Sequence, residues 1–162
     1  MFRVGTGFDI HKLIEGNKLI LGGVLIPFSK GALAHSDGDA LSHAIIDAIL
    51  GASGLEDIGT QFPDTSEEYK NFSSLTMLRI VNDLIRENDF SIINVDSTII
   101  LQKPNLSSFK DKMRSNVAGA LDLDVSQVNV KAKTAEFMLG ELGTSDAVAV
   151  QAVVLLEELS LF

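Results

Sequence analysis

All three histidines of the 162-residue chain, His11, His35 and His43, fall within its first 43 residues. Asp9 and His11 are two apart. On an extended strand both side chains leave one face, so the pair can offer two ligands to one metal ion. His43 supplies a third if its segment is a helix packed on that strand. Two imidazoles and a carboxylate leave an open coordination position, the form of a catalytic zinc site. The same set is the facial triad of non-haem iron oxygenases, and ligand types do not separate the two. Blander readings stand beside these: a polar pair at a strand end, and a core histidine bonded to a helical neighbour.

Other segments suit phosphate. HSDGD at 35–39 sits where a helix begins, and free N–H groups at a helix start favour anions. His35 and Ser36 lie just outside it, although a plain N-cap explains the pattern equally. Asp37 and Asp39 would repel an anion unless a cation intervened. Lys133, Thr134 and Glu136 in KAKTAE combine a cation, a hydroxyl and a carboxylate. That group suits a diphosphate with a divalent ion, since Mg²⁺ uses few carboxylates plus phosphate oxygens. EDIG at 56–59 and FPDTS at 62–66 form a polar binding loop or a surface crossing. QKPNLSS at 102–108 offers backbone turns able to meet a base edge. GTG at 5–7 is too short for a dinucleotide fingerprint and signals a strand kink or close backbone approach.

These residues need elements to hold them. Residues 2–10 open like a strand, and LILGGVLI at 19–26 reads as a hairpin around Gly22-Gly23. Pro27 to Leu33 is expected as a connector. Asp37 to Ser53 is expected as a helix, capped by Ser36 or Asp37 and closed by Gly54. On it, Leu41, Ala44, Ile45, Ala48 and Ile49 form one stripe. His43 lies nearly opposite, with Asp39 and Asp47 one turn either side and Ile46 and Leu50 on the same face. A surface helix would be polar there, so this helix is covered on both sides, and the flanking Asp residues are placed to orient the second ring nitrogen of His43. Residues 54–68 read as an irregular loop. A second helix runs from Ser73 or Ser74 to about Asn88, and a strand covers 91–101. Lys103-Pro104 marks a break after it. A third helix runs from Ser107 or Ser108 to about Leu121, a strand covers 128–134, and 135–146 is a loop with two glycines. Residues 147–159 suit a long buried strand, with LLEEL alone open to helix. The alternation predicts an α+β fold of β-α-β layers.

Composition narrows the function classes. Thirteen Lys and Arg against 22 Asp and Glu leave a formal charge of −9, with 46% hydrophobic residues. The sequence pI is about 4.7 and the mean hydropathy +0.24. That apolar fraction excludes a disordered acidic chain. The acidity argues against nucleic acid or an anionic membrane surface as partner. The absence of cysteine excludes disulfides, a thiol nucleophile and Cys-based zinc sites. No apolar run reaches about 18 residues, so no membrane span is expected. MFRVGTGFDIHKL lacks the h-region of a signal peptide. A cytoplasmic protein is expected, or a mature organellar one, and residues 1–162 are expected to form a single domain.

RVGTGFDIHKL, LGGVLIPF, GALAHSDGDALSHAIIDAILGA, LEDIGTQFPDT, NVDSTIILQKP and VNVKAKTAE resemble, in order, the 2-C-methyl-D-erythritol 2,4-cyclodiphosphate synthase family. The resemblance spans residues 3 to about 136, and the pairing of GFDIH with AHSDGDALSHA is its most specific part. It implies helices on one face of a mixed sheet, a homotrimer with active sites between neighbours, and a role in non-mevalonate isoprenoid biosynthesis. It implies a Zn²⁺ on Asp9, His11 and His43, and a second divalent ion, Mg²⁺ or Mn²⁺, on Glu136 with the substrate diphosphate. His35 and Thr134 become catalytic contacts near the transition state. The substrate-binding set becomes Asp9, Ile10, His11, His35 and Ser36; then Asp57, Ile58, Gly59, Phe62, Pro63, Asp64, Thr65 and Ser66 around the methylerythritol end. For cytidine it is Leu101, Gln102, Lys103, Pro104, Asn105, Leu106 and Ser107; for the diphosphate, Lys133, Thr134, Ala135 and Glu136. The implied substrate is a cytidine diphosphate, whose own 2-phosphate attacks the β-phosphorus and expels CMP. A non-haem iron oxygenase, or a non-catalytic metal-clamped trimer that binds phosphates, remains the alternative. One departure stands out: where the family carries a Gly-rich segment close to G-R-x-E-G, residues 137–147 read FMLGELGTSDA. They hold no Arg, Asp146 falls near the family's Glu, and Lys133 becomes the candidate for part of the missing positive charge.

Overall fold

A computed structural model describes residues 1–159. Seven strands and four α-helices follow in the order β1 (Phe2–Glu15), β2 (Leu19–Leu21), β3 (Val24–Ile26), β4 (Lys30–Ala32), α1 (Ala40–Ser53), α2 (Ile58–Gln61), α3 (Ser74–Glu87), β5 (Phe90–Ile100), α4 (Lys110–Ala120), β6 (Val128–Lys133) and β7 (Ala147–Glu158). The main sheet has the order β4-β1-β7-β5-β6, and β2 and β3 form a separate hairpin. All neighbours are antiparallel except β5 and β6. That parallel pair needs a crossover, and α4 provides it. The α+β class, the mixed sheet and the helices on one face all agree with the sequence reading.

Alternation along β1 and β7 decides which face the helices cover. A Cβ on Gly5 would lie 1.9 Å from the Ala48 carbonyl oxygen, and one on Gly7 would lie 1.8 Å from that of Ala44. Only glycine lets α1 lie this close to the strand, so of the two readings of GTG the close approach is the one found. Odd-numbered residues of β1, including Asp9, His11 and buried Leu13, therefore face α1. Even-numbered Val4, Phe8 and Ile10 leave the other face and are exposed. Helix α1 is buried on nearly every side, including Ile46 and Leu50 beside His43, as the two-sided apolar pattern required.

Several boundaries differ from expectation for local reasons. Strand β1 runs to Glu15 because β4 pairs with its last three residues, and that partner lies in the supposed connector 27–33. Helix α1 starts three residues late because Gly38 has φ +71°, outside right-handed helix. Asp39, rather than Ser36 or Asp37, is its N-cap. Within 54–68 the chain forms α2 and enters a 3₁₀ turn at Glu67–Tyr69, while 135–146 contains another at Gly140–Leu142. Helix α4 begins at Lys110, after a turn in which Phe109 N–H meets the Leu106 carbonyl at 3.0 Å. Residues 147–158 are strand throughout: inserted between β1 and β5, β7 bonds to both neighbours, and this overrides any helical tendency of LLEEL.

Candidate functional site

Strand β1 and helix α1 bring Asp9, His11 and His43 together. His11 Nε2 lies 2.9 Å from Asp9 Oδ2, His43 Nδ1 lies 3.2 Å from the same oxygen, and the two nitrogens are 3.2 Å apart. Ligands about 2.0–2.1 Å from a tetrahedral zinc ion stand roughly 3.4 Å from one another. The triangle is within a few tenths of an ångström of one face of that tetrahedron. Among the described residues this is the one His/Asp/Glu group whose ligand atoms converge within 4.8 Å. Its fourth direction opens to a cavity, so the donors fit a divalent ion with one free position.

Charge inside the trio is strongly coupled. Burial works to raise the Asp9 pKa, but hydrogen bonds and charge from His11 and His43 hold it well below the usual carboxylate range. Burial works to lower His43, and Asp9 overrides it, so the imidazole sits above its ordinary value. The carboxylate is thus kept ionised, the form that binds a metal.

The aspartates beside His43 do not orient its ring, contrary to the expectation. Asp39 accepts from the N–H groups of Gly22 (2.8 Å) and Gly23 (2.7 Å), and from Ser42. Asp47 accepts from the Ile58 N–H at 2.8 Å. His43 Nε2 instead lies 2.9 Å from Ser74 Oγ and 3.2 Å from Ser36 Oγ. The first residue of α3 thus takes part in the site, which the sequence reading missed.

The cavity over the trio has a volume of about 330 Å³. Of the expected residues, His11, His35, Ser36, His43, Ile58, Gly59, Phe62 and Asp64 line it, joined by the unforeseen Ala34, Tyr69 and Met77. His35 Nε2 is 3.0 Å from the Ser66 carbonyl oxygen, tying HSDGD to the loop. Asp57 caps α2 through Thr60 rather than lining the cavity, and those bonds lower its pKa. Pro63 and Thr65 are exposed outside it. Ile10 stands outside the cavity: the two-residue period turns its side chain to the opposite sheet face, 51% exposed.

A second cavity, of about 440 Å³, is lined by Leu101 to Ser107 with Lys133 and Thr134, joined by Phe28 and Ala132. Ala135 is buried beside it. Glu136 stands apart from the metal trio, its Oε1 accepting from Thr134 Oγ1 at 2.6 Å. Lys133 lines this cavity, and among the described residues its side chain makes no ion pair with residues 137–147. The cation beside Asp146 is Lys30, at 2.7 Å.

The two cavities share no residue. Across the sheet, Asp9 pairs with Val150, Val150 with Ile99, and Ile99 with Ala132. Three strand spacings put the metal trio and the second cavity roughly 14 Å apart within one chain.

A model of the YgbB family matches residues 2–157. A 2-C-methyl-D-erythritol 2,4-cyclodiphosphate synthase of Caldicellulosiruptor bescii is 51% identical over 158 residues, covering 98% of this chain and 100% of the relative. One from Neisseria gonorrhoeae is 51% identical, covering 95% and 96%. The bifunctional IspDF of Campylobacter jejuni superposes with a TM-score of 0.93 at 44% identity, over 99% of this chain and 43% of that longer one. The CDP complex of Plasmodium falciparum IspF gives 0.84 at 40% identity, over 98% and 97%.

Proposed function

The chain belongs to the YgbB family, and from that premise we propose how its two cavities divide the work of the reaction. The activity is that of a 2-C-methyl-D-erythritol 2,4-cyclodiphosphate synthase, an isoprenoid-pathway lyase that releases CMP. It converts 4-diphosphocytidyl-2-C-methyl-D-erythritol 2-phosphate to the cyclic diphosphate. The comparisons lend nothing to the iron oxygenase or to the non-catalytic trimer.

The observation that carries the assignment of residues is the triangle of Asp9, His11 and His43. We assign these three to Zn²⁺ and Glu136 to a second ion, Mg²⁺ or Mn²⁺, shared with the diphosphate. A divalent ion there polarises phosphate oxygens and neutralises developing charge. The nucleophile is the substrate's own 2-phosphate, so no Ser or Cys nucleophile is needed, and the protein's task is positioning. The first cavity holds the methylerythritol end against Ile58, Gly59, Phe62 and Asp64, while His35 and Ser36 meet the attacking phosphate. In the second cavity, Leu101 to Ser107 grip cytidine. Lys133, Thr134, Ala135 and Glu136 hold the diphosphate, with Thr134 donating to oxygens that gain charge as CMP leaves.

A substrate bridging both cavities of one chain would have to cross roughly 14 Å of sheet. The uncovered sheet face, where Phe2, Val4 and Phe8 are each more than half exposed, favours another arrangement. Copies pack that face together as a homotrimer, and the second cavity of one chain adjoins the first of its neighbour. Residues 1–162 act as one domain. No helix among the described residues is long and apolar enough to cross a membrane, and we place the enzyme in the cytoplasm.

The test is direct. Purified protein with zinc, magnesium and the substrate should release CMP and the cyclic product in equal amounts. No CMP release from folded, metal-loaded protein would overturn the reading. His43→Ala should lose both bound metal and turnover.

A further inference from the structure

We propose that Asp37 and Ser74 form a directed hydrogen-bond chain that fixes the tautomer and ring orientation of His43, making both of them positioning residues for the metal. This rests on the metal reading of Asp9, His11 and His43.

The direction of the chain follows from donor and acceptor inventories. An ionised carboxylate only accepts. Asp37 Oδ2 accepts the backbone N–H of Ser74 at 2.9 Å. Asp37 Oδ1 takes the Ser74 hydroxyl hydrogen in a short bond and the Asp39 N–H at 3.2 Å. The one hydroxyl hydrogen of Ser74 is therefore committed to Asp37, and only its lone pairs remain for His43 Nε2 at 2.9 Å. Nε2 must carry a hydrogen and donate it. Nδ1, the atom in the triangle with His11 and Asp9, faces a carboxylate that also only accepts, so in the metal-free ring it carries a hydrogen of its own; a metal ion there would displace that hydrogen and leave the Nε2–H held by Ser74 as the ring's one N–H. Ser74 is fully buried and His43 is 8% exposed, so water competes little for these bonds. Ser36 Oγ, the other acceptor near Nε2, has no carboxylate fixing its hydrogen and is free to turn toward the cavity.

Asp37 comes from the segment before α1, and Ser74 opens α3. The chain therefore locks three pieces together: the HSDGD strap, α3 and the ligand on α1. Further bonds hold strap and helix in register, from Asp37 N–H to the Phe72 carbonyl and from Asn71 N–H to the His35 carbonyl. Outer-shell partners of this kind are worth roughly 10–100-fold in metal affinity.

Asp37→Asn discriminates a directed chain from a merely structural one. Its carbonyl still accepts the Ser74 N–H, so that helix contact survives, while the Asp39 N–H loses its acceptor. Its amide then faces Ser74 Oγ and donates to it, which frees the hydroxyl hydrogen to point at Nε2. The His43 proton is then driven to Nδ1, where it blocks the metal.

Zinc is the probe, competed against a chromophoric chelator with the full-length protein. Ser74→Ala and Asp37→Asn should each weaken zinc binding by about 10–100-fold, and Ser74→Thr, which keeps the hydroxyl, should stay within about threefold of wild type. In the zinc-loaded protein, NMR of labelled imidazole nitrogens should find the His43 hydrogen held on Nε2 in the wild type and that Nε2–H signal weakened or lost in Asp37→Asn. Unchanged zinc affinity and tautomer in the folded variants would overturn the chain. If Asp37→Asn does not fold, Ser74→Ala against Ser74→Thr decides: equal affinities overturn it, loss in Ala with retention in Thr supports it. Wild-type protein that binds no zinc would instead overturn the metal reading, a distinguishable failure.

Discussion

Replacing Gly7 with alanine is the sharpest way to separate strand β1 from helix α1. The new Cβ would stand 1.8 Å from the Ala44 carbonyl oxygen, 2.7 Å from the Ala48 nitrogen and 2.9 Å from the Ala44 carbonyl carbon. Every one of these atoms is backbone, so no side chain can swing aside. Ordinary contact begins at 3.4 Å, and the first separation falls about 1.6 Å short of it. Overpacking typically costs about 1–3 kcal/mol. A rigid helix against the centre of a sheet puts Gly7→Ala at or above the top of that range, about 3 kcal/mol or more. The site suffers as well, because Asp9 and His11 ride on the strand and His43 on the helix. Metal ligands must hold their places within about 0.5 Å, and a displacement about three times larger should lose more than the roughly 100-fold ascribed to a supporting hydrogen bond. Gly51→Ala is the control in the same helix. Its Cβ would meet nothing closer than the Thr6 carbonyl oxygen at 3.9 Å, and a helical Gly→Ala change gains about 0.5–1 kcal/mol. Urea unfolding and zinc competition on both variants make the assay. Gly7→Ala with wild-type unfolding midpoint and zinc affinity would refute the close approach and the reasoning built on it.

Two further perturbations probe the supports. Asp39→Ala strands the buried N–H groups of Gly22 and Ser42, while the Gly23 N–H is exposed and can turn to water; at about 1–3 kcal/mol for each buried unpaired donor, urea unfolding should show a loss of about 2 kcal/mol or more, and a loss under about 1 would contradict it. In metal-free protein the Asp9–His43 attraction has a pH window. Asp9 lies below its ordinary 3.8, so its contribution is full above that value and drains as pH falls. His43 lies above its ordinary 6.5, so its contribution is full below that value and is lost as pH rises through the folded pKa. The stability advantage of wild type over Asp9→Asn should therefore peak between about pH 4 and 6.5; an advantage that grows above neutrality would count against it.

What could be read from the residues alone was whatever a short-range period encodes. Asp9 and His11 share a face because strand side chains alternate. His43 sits in a covered pocket because Ile46 and Leu50 share its side of α1. Contacts decided by distant chain stayed hidden. β4 is three residues long, too short for alternation to show, and it exists because the end of β1 offers it the edge opposite β7. Ser74 resembled a helix cap, and nothing local ties it to a histidine 31 positions earlier. Phe28, Tyr69 and Met77 reach the cavities by tertiary packing and carry no motif. Asp47 was placed correctly on the face of His43, but helical proximity cannot say which donor a carboxylate meets, and α2 offered the Ile58 N–H first.

The acidity of the chain takes on a different meaning once these partners are known. A charge of −9 looks hostile to a substrate carrying three phosphate groups, and HSDGD places two aspartates beside the proposed phosphate contacts. Both are turned inward. Asp37 faces Ser74 and the Asp39 N–H, while Asp39 faces the glycine turn and Ser42. Asp47 and Asp57 likewise accept from the two ends of the turn that starts α2. Donors hold these carboxylates, so they act as struts with their oxygens aimed away from the cavity. Asp9 differs from these four, aimed between two imidazoles where its charge serves a cation. Charge direction at the site, set by which N–H each carboxylate meets, therefore outweighs the net total in deciding whether an acidic protein can hold an anion.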